Sequence, residues 1–290
     1  MDQLNSSTLA PAMKMETNGT TGVLAGGFVF TTLLFLQDLI FMETVCSTRH
    51  KGCVDRENFE IHAKTVSDAN PQSQLSIHLD QSNAALEKFI DNLQRNDWTH
   101  EEDHGDISTY SRYDPELKRK IYKLQTILDY DYEWAFRQTW MTVPDSPLWN
   151  EDIREGEVLK NLSENCRVFH AVTKPQTFGF VSSRDFVPIE SYRRLGEAYF
   201  WGMSSVTWPD LPPLQDVVRA HVSPGGGFAF ASYGEDKKKT LYQLIPILDI
   251  YIPLLPRVVA DKLVCAAQRN FIIRLKTRLS YLHSSLPLTV

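Results

Sequence analysis

The chain is poor in cysteine and has no surplus of positive charge, and each shortage removes a class of function. Its 4 cysteines in 290 residues, Cys46, Cys53, Cys166 and Cys265, form no CxxC pair. They build no zinc ribbon and are too few to staple a secreted mini-domain, which points to a reducing compartment. With 30 Lys and Arg against 36 Asp and Glu, the formal net charge is −6. Nucleic acid is thereby excluded as the main partner, because phosphate binding needs a basic face. No serine sits in a G-x-S-x-G elbow. The glycine-rich SPGGG of 223–227 is followed by no Lys-Ser or Lys-Thr helix start. It reads as a tight turn entering a strand. What is present is ordinary for a folded domain, 42% hydrophobic and 23% charged residues.

One motif promises catalysis. In THEEDHGD, residues 99–106, His100, Glu101 and His104 stand in the spacing H-E-x-x-H. On a helix that spacing lets two histidines share a zinc, with the glutamate as general base. Here the segment lies between two β-like runs, Gly105-Asp106 follows at once, and Glu101-Glu102-Asp103 offers no apolar side to bury. The expectation is a solvated acidic turn at a strand junction, with no metal and no cofactor. A zinc hydrolase is the remote alternative. His170 and His221, single histidines in strand-like runs, read as structural.

The first 73 residues differ from the rest. VLAGGFVFTTLLFLQDLIFM, residues 23–42, has the length a bilayer requires, with Gln37 and Asp38 toward its end. A membrane anchor, a locally packed hydrophobic segment and a cleaved signal peptide all fit it. Arg49, Lys51 and Arg56 follow the stretch and only Lys14 precedes it, so an anchor would leave the C-terminal bulk in the cytoplasm. Residues 57–76 read as a polar linker.

From residue 74 the texture is that of a folded domain. Leu75, Leu79, Leu86, Phe89, Ile90 and Leu93 recur at helical spacing. β-like runs follow at 98–101, 107–112 and 120–128, a helix at 130–141, and further strands at 157–162, 167–173, 185–192, 198–206, 217–222, 227–233 and 241–247. A final helix begins near Arg257, where Val259, Leu263, Ala267, Phe271, Leu275 and Leu279 repeat every four residues. A long sheet between two terminal helices is an α+β layout.

Several segments taken in order resemble the START lipid-transfer domain. They are PDSPLWN with Trp149 and Asn150, then Arg184-Asp185-Phe186 opening RDFVPIESYRR, Arg219 in DVVRAH, SPGGGF, and the closing run 255–279. The similarity spans roughly residues 74–282. It is nearest the subgroup of steroidogenic acute regulatory protein, the late-endosomal cholesterol-transfer protein and the insect carotenoid-binding protein. It implies a helix-grip fold for 74–283, a curved antiparallel sheet around a hydrophobic tunnel closed by the C-terminal helix, with 284–290 as a tail. It also implies a carrier rather than an enzyme, with a hydrophobic lipid as ligand and a membrane surface as partner. A sterol comes first, a carotenoid or other isoprenoid second; a lipid-sensing module without net transfer is the alternative.

The resemblance also suggests residues. Asn150, Ala171, Glu190, Trp201, Met203, Arg219, Phe271 and Leu275 would meet the lipid. Ile250, Tyr251, Ile252 and Leu254, in an apolar loop about two residues longer than in relatives, would form a gate touching the bilayer. The sterol subgroup joins an acidic residue and an arginine inside the tunnel. Here those positions fall on Ala171 and Glu190, so neither partner is retained as such, and Arg219 is the candidate cation for Glu190. Trp201 replaces a small polar residue and would shorten the tunnel.

Overall fold

The structure, a computed structural model, describes residues 71–176 and 181–285. The segment 23–42 lies outside them, so the expected anchor does too, as does most of the tail. Among the described residues no helix is long and apolar enough to cross a membrane.

The described chain opens with helix α1 (Pro71–Gln94), which begins inside the stretch read as linker. Strands β1 (Thr99–His104), β2 (Ile107–Asp114) and β3 (Arg119–Leu128) lead to helix α2 (Tyr132–Thr142) and a 3-10 turn at Ser146–Leu148. Then come β4 (Ile153–Ser163), β5 (Cys166–Thr173), β6 (Arg184–Phe186), β7 (Pro188–Leu195) and β8 (Ala198–Ser205). After β9 (Val218–Arg219), β10 (His221–Val222), β11 (Gly226–Tyr233), β12 (Lys239–Ile245) and β13 (Leu248–Asp249), helix α3 (Arg257–Ser284) closes the domain.

Eleven of these strands form one sheet in the order β1-β2-β3-β12-β11-β8-β7-β5-β6-β9, with β4 also on β5. All neighbours are antiparallel except β6 with β9. β6 and β7 are one line in register along β5: Asp185 pairs with Val172 and Glu190 with Arg167. The line breaks at Val187, ahead of Pro188, whose missing N–H suits a strand start.

Helices cover the two faces. Against the outer one, Leu86, Phe89 and Ile90 of α1 pack on Ile121, Ala229 and Ile245. Gly202 permits that approach, since a Cβ there would stand 2.5 Å from the Leu86 Cα. On the inner face, α2 and α3 enclose the largest core, which includes Phe136, Trp201, Phe230, Tyr242, Ile272, Leu275 and Leu279.

Two expectations change, and one strand is added. The H-E-x-x-H segment is strand β1, exposed along its length and running to His104, with only Gly105-Asp106 as the turn. Four residues of strand separate His100 and His104 by about 13 Å of chain, so the single helical face that zinc needs does not form. α3 buries Asp261, Val264, Cys265, Ile272, Leu275 and Leu279, whereas Ala267 is exposed. A strict four-residue repeat drifts about 40° per step around a 3.6-residue turn, so the contact stripe leaves that series. β13, two residues long, is too short to show periodicity.

Candidate ligand-binding site

Strand register assigns the inner face. Cross-strand partners share a face, so Met203 stands beside Glu190, Trp201 beside Tyr192 and Phe228, and Tyr242 beside Phe230. Alternation along β5 adds Arg167, Phe169 and Ala171. Toward α2 this face is filled with rings. Phe136 stacks on Tyr199 at 4.1 Å, Trp140 meets Trp201 edge-on at 4.8 Å, and Trp201 meets Phe228 at 4.7 Å. Trp201 and Leu275 are fully buried there.

Away from α2 the packing loosens. Ala171, Met203, Phe228 and Phe271 face inward, yet each is only half-buried. Phe271 of α3 lies over Phe228 at 6.0 Å and touches Trp149 at 5.7 Å. This end adjoins β6, since Ala171 pairs with Phe186.

A buried ion pair divides the two halves. Arg167 donates from Nε and Nη2 to Glu190 Oε2 at 3.2 and 3.1 Å, and from Nη1 to the Trp140 carbonyl at 3.0 Å. Its guanidinium also lies 3.6 Å from the Trp140 ring centroid. Both side chains are almost wholly buried. Burial pushes the Glu190 carboxyl above its usual range, while Arg167 pulls it down. Trp201 Nε1 itself makes no hydrogen bond. The partner expected for Glu190 is thereby corrected. Arg219 donates from Nε to Asp185 Oδ2 at 2.8 Å instead. The signal for Arg167 was in the sequence, because it alternates with Phe169 and Ala171 on a strand facing Glu190.

Arg184 and Asp185 lie on opposite faces of β6, and Arg184 braces the loop after β13. Arg184, buried, donates from Nε to the Ile250 carbonyl at 2.8 Å and from Nη2 to the Tyr251 carbonyl at 3.0 Å. Asp185 is fully buried with His170 Nε2 3.7 Å away. Burial alone would raise its pKa, but His170 and Arg219 together hold it below the ordinary carboxyl range. Phe186 stays half-buried. In the loop beyond, Tyr251 and Leu254 adopt positive φ of 43° and 64°, which costs a non-glycine residue of order 1–3 kcal/mol. Leu254 and Tyr251 are exposed, as is Val258 at the start of α3, while Ile250 and Ile252 are half-buried.

Asn150 is buried, with its amide oxygen engaged at the rim. Its Oδ1 accepts from Arg274 Nη1 of α3 at 2.8 Å and from the Asp152 amide at 3.2 Å. Trp149 donates Nε1–H to the Thr142 carbonyl at 3.0 Å. Asn150 thereby ties this segment to α3, and Trp149 ties it to the end of α2. Further ion pairs hold α3 along its length: Arg257 to Asp249 at 2.8 Å, Arg119 to Asp261 at 2.8 Å, Arg269 to Glu102 at 2.6 Å, and Lys276 to Asp106. Glu102 and Asp106 belong to the acidic THEEDHGD segment, so its carboxylates serve as a rail for α3.

The sequence profile of the START domain matches residues 80–232. The chain belongs to the START domain family. That family is known for binding and transferring lipids, and its members are in general carriers rather than enzymes. Human mitochondrial steroidogenic acute regulatory protein is 23% identical over 205 residues, covering 70% of each chain. The mouse protein of the same name is 22% identical over 205 residues, covering 70% of this chain and 71% of its own. Among solved structures, human StAR-related lipid transfer protein 5 superposes with a TM-score of 0.63 at 20% identity, covering 72% of this chain and 99% of that one. Human STARD10 gives 0.57 at 16%, covering 76% and 85%. These structures share the START fold seen here: a large curved sheet, open rather than a closed barrel, with a helix at each end of the chain.

Proposed function

We propose that this START domain takes one hydrophobic lipid onto its inner face, beneath α3, and carries it between membranes. The observation that supports this most is the half-buried set Ala171, Met203, Phe228 and Phe271, apolar side chains facing inward beside the gate. Apolar surface left open under a covering helix offers a lipid the contacts it loses on leaving a bilayer. The lipid enters there, and turning the Phe228 and Phe271 rings extends its path toward Trp201 and Leu275. No bond is made or broken.

A sterol is the first ligand, a carotenoid or other isoprenoid the second. The named relatives, steroidogenic acute regulatory proteins, favour the sterol. The charged pair favours it less, because Arg167 and Glu190 satisfy each other and leave no free charge for a hydroxyl. The exposed Leu254, Tyr251 and Val258 are the surface that meets the membrane, with Ile250 and Ile252 following as the loop opens. Action on the cytoplasmic side, tethered through 23–42, completes the reading.

Transfer of a labelled sterol between liposomes tests it. Acceleration by catalytic amounts of protein supports a carrier. Binding without acceleration favours the sensing module, and neither binding nor transfer of sterol or carotenoid removes the proposal.

A further inference from the structure

The end of α3 farthest from the gate carries a second hollow. Tyr130, Asp131, Trp134 and His283 line about 240 Å³ where α3 ends against the start of α2. Three rings build it, with centroids 4.9 Å apart for Tyr130 and Trp134, 5.2 Å for Tyr130 and His283, and 5.3 Å for Trp134 and His283. Their planes meet at 42°, 43° and 85°, so they form walls of a cup rather than a stack. The three centroids make a nearly equilateral triangle. A point about 4 Å above its centre lies about 5 Å from all three, within the roughly 6 Å range over which ring faces attract a cation.

The remaining wall is a carboxylate. Asp131 Oδ1 caps α2, accepting from the Glu133 and Trp134 amides at 3.0 Å each. Its negative charge offsets the positive end of the α2 dipole, while Asp129 and Glu133 beside it in sequence are paired with Lys239 and Arg194. An ordinary ammonium would need several acceptors in this cup, where Asp131 is the one charged wall. A quaternary ammonium has no N–H to satisfy and presents methyl groups to the rings.

We propose that this cup binds a quaternary ammonium group, either a free choline-like compound or the head group of a choline phospholipid. The cup lies at the opposite end of α3 from the gate, and Tyr130 and Trp134 also pack against the inner-face core. α3, 28 residues long, spans about 42 Å, so a bilayer held at both the cup and the gate would run along the helix.

The test is an NMR titration of the full chain with choline at pH 8, above the ordinary histidine range, following the Trp134 indole resonance. The neutral carbon isostere 3,3-dimethylbutan-1-ol serves as control. The proposal expects saturable millimolar binding of choline and about fivefold or weaker binding of the isostere, since only the cation is drawn by ring faces. Trp134→Leu and, separately, His283→Leu each reduce choline affinity about fivefold. Asp131→Asn keeps a helix cap and weakens binding about two- to threefold. Phosphatidylcholine and phosphatidylglycerol vesicles identify the source: a preference for the former that Trp134→Leu abolishes assigns the head group, and choline binding without vesicle preference assigns a free ligand. Equal affinity for choline and its isostere overturns the proposal, as does the absence of saturation or unchanged affinity in both ring variants.

Discussion

Arg167 and Glu190 face each other across β5 and β7 as a buried pair, 3.1 Å from Nη2 to Oε2. The pair sits where the ring-filled half of the inner face gives way to the open half. Burying two charges is costly, and losing one partner costs about 3–5 kcal/mol, whereas replacing both with apolar residues is often neutral or stabilising. Arg167→Met and Glu190→Leu should therefore each destabilise the fold by that amount, and the double variant should recover most of the loss. Urea denaturation of the four proteins measures the coupling, and simple additivity would count against a shared pair.

The two buried carboxyls give opposite pH limbs. Asp185 is held below its ordinary range, so its stabilisation is present above about pH 4, where the unfolded carboxyl ionises, and is lost as pH falls through the lower folded value. Glu190 is raised, so in the interval between the unfolded and folded values its folded form keeps a proton that the unfolded chain has released. Stability falls as pH rises through that interval, and the charged pair with Arg167 is complete above it. Asp185→Asn should flatten the acid limb and Glu190→Gln the limb above it, each read from denaturation midpoints from acid to alkaline pH.

Arg184 holds the 250–254 loop by its fork rather than its charge, through the carbonyls of Ile250 and Tyr251. Lysine cannot reproduce two aimed donors. In Arg184→Lys, amide exchange at Ile252, Leu254 and Leu255 should speed about tenfold, one charged hydrogen bond's worth, while Ile245 in β12 stays protected. Uniform acceleration would instead indicate global destabilisation.

Exposed apolar residues at the gate should anchor the protein to bilayers. Ile252→Asp combined with Leu254→Asp should reduce liposome binding at least tenfold, since an acidic residue is strongly disfavoured in hydrocarbon. Undiminished flotation with liposomes would show that the loop does not touch the membrane.

Most of the fold was legible because its strands are short β-prone runs, as 107–112, 198–206 and 227–233 are. The closing helix was legible from its apolar repeat beginning near Arg257, and the family motifs, read in order, supplied its role as a cover. Tertiary matters were less so. Alternation shows that Arg167 and Glu190 point inward, but only register shows that they meet, and Arg219 goes to Asp185 because β9 runs beside β6. Asn150 read as a ligand contact, and its side chain is taken up by Arg274. The acidic THEEDHGD segment could not disclose its role, because its partners Arg269 and Lys276 lie more than 160 residues away.

The central claim is that a lipid lies under α3 at the open end of the inner face. Native mass spectrometry of the protein from its own cells, with lipid extraction, tests it directly against an Ala171→Trp variant that fills this space. The account predicts one hydrophobic lipid per chain in the natural protein and its loss from a folded variant. A natural protein that never carries a lipid, or a variant that carries it equally well, would contradict the account.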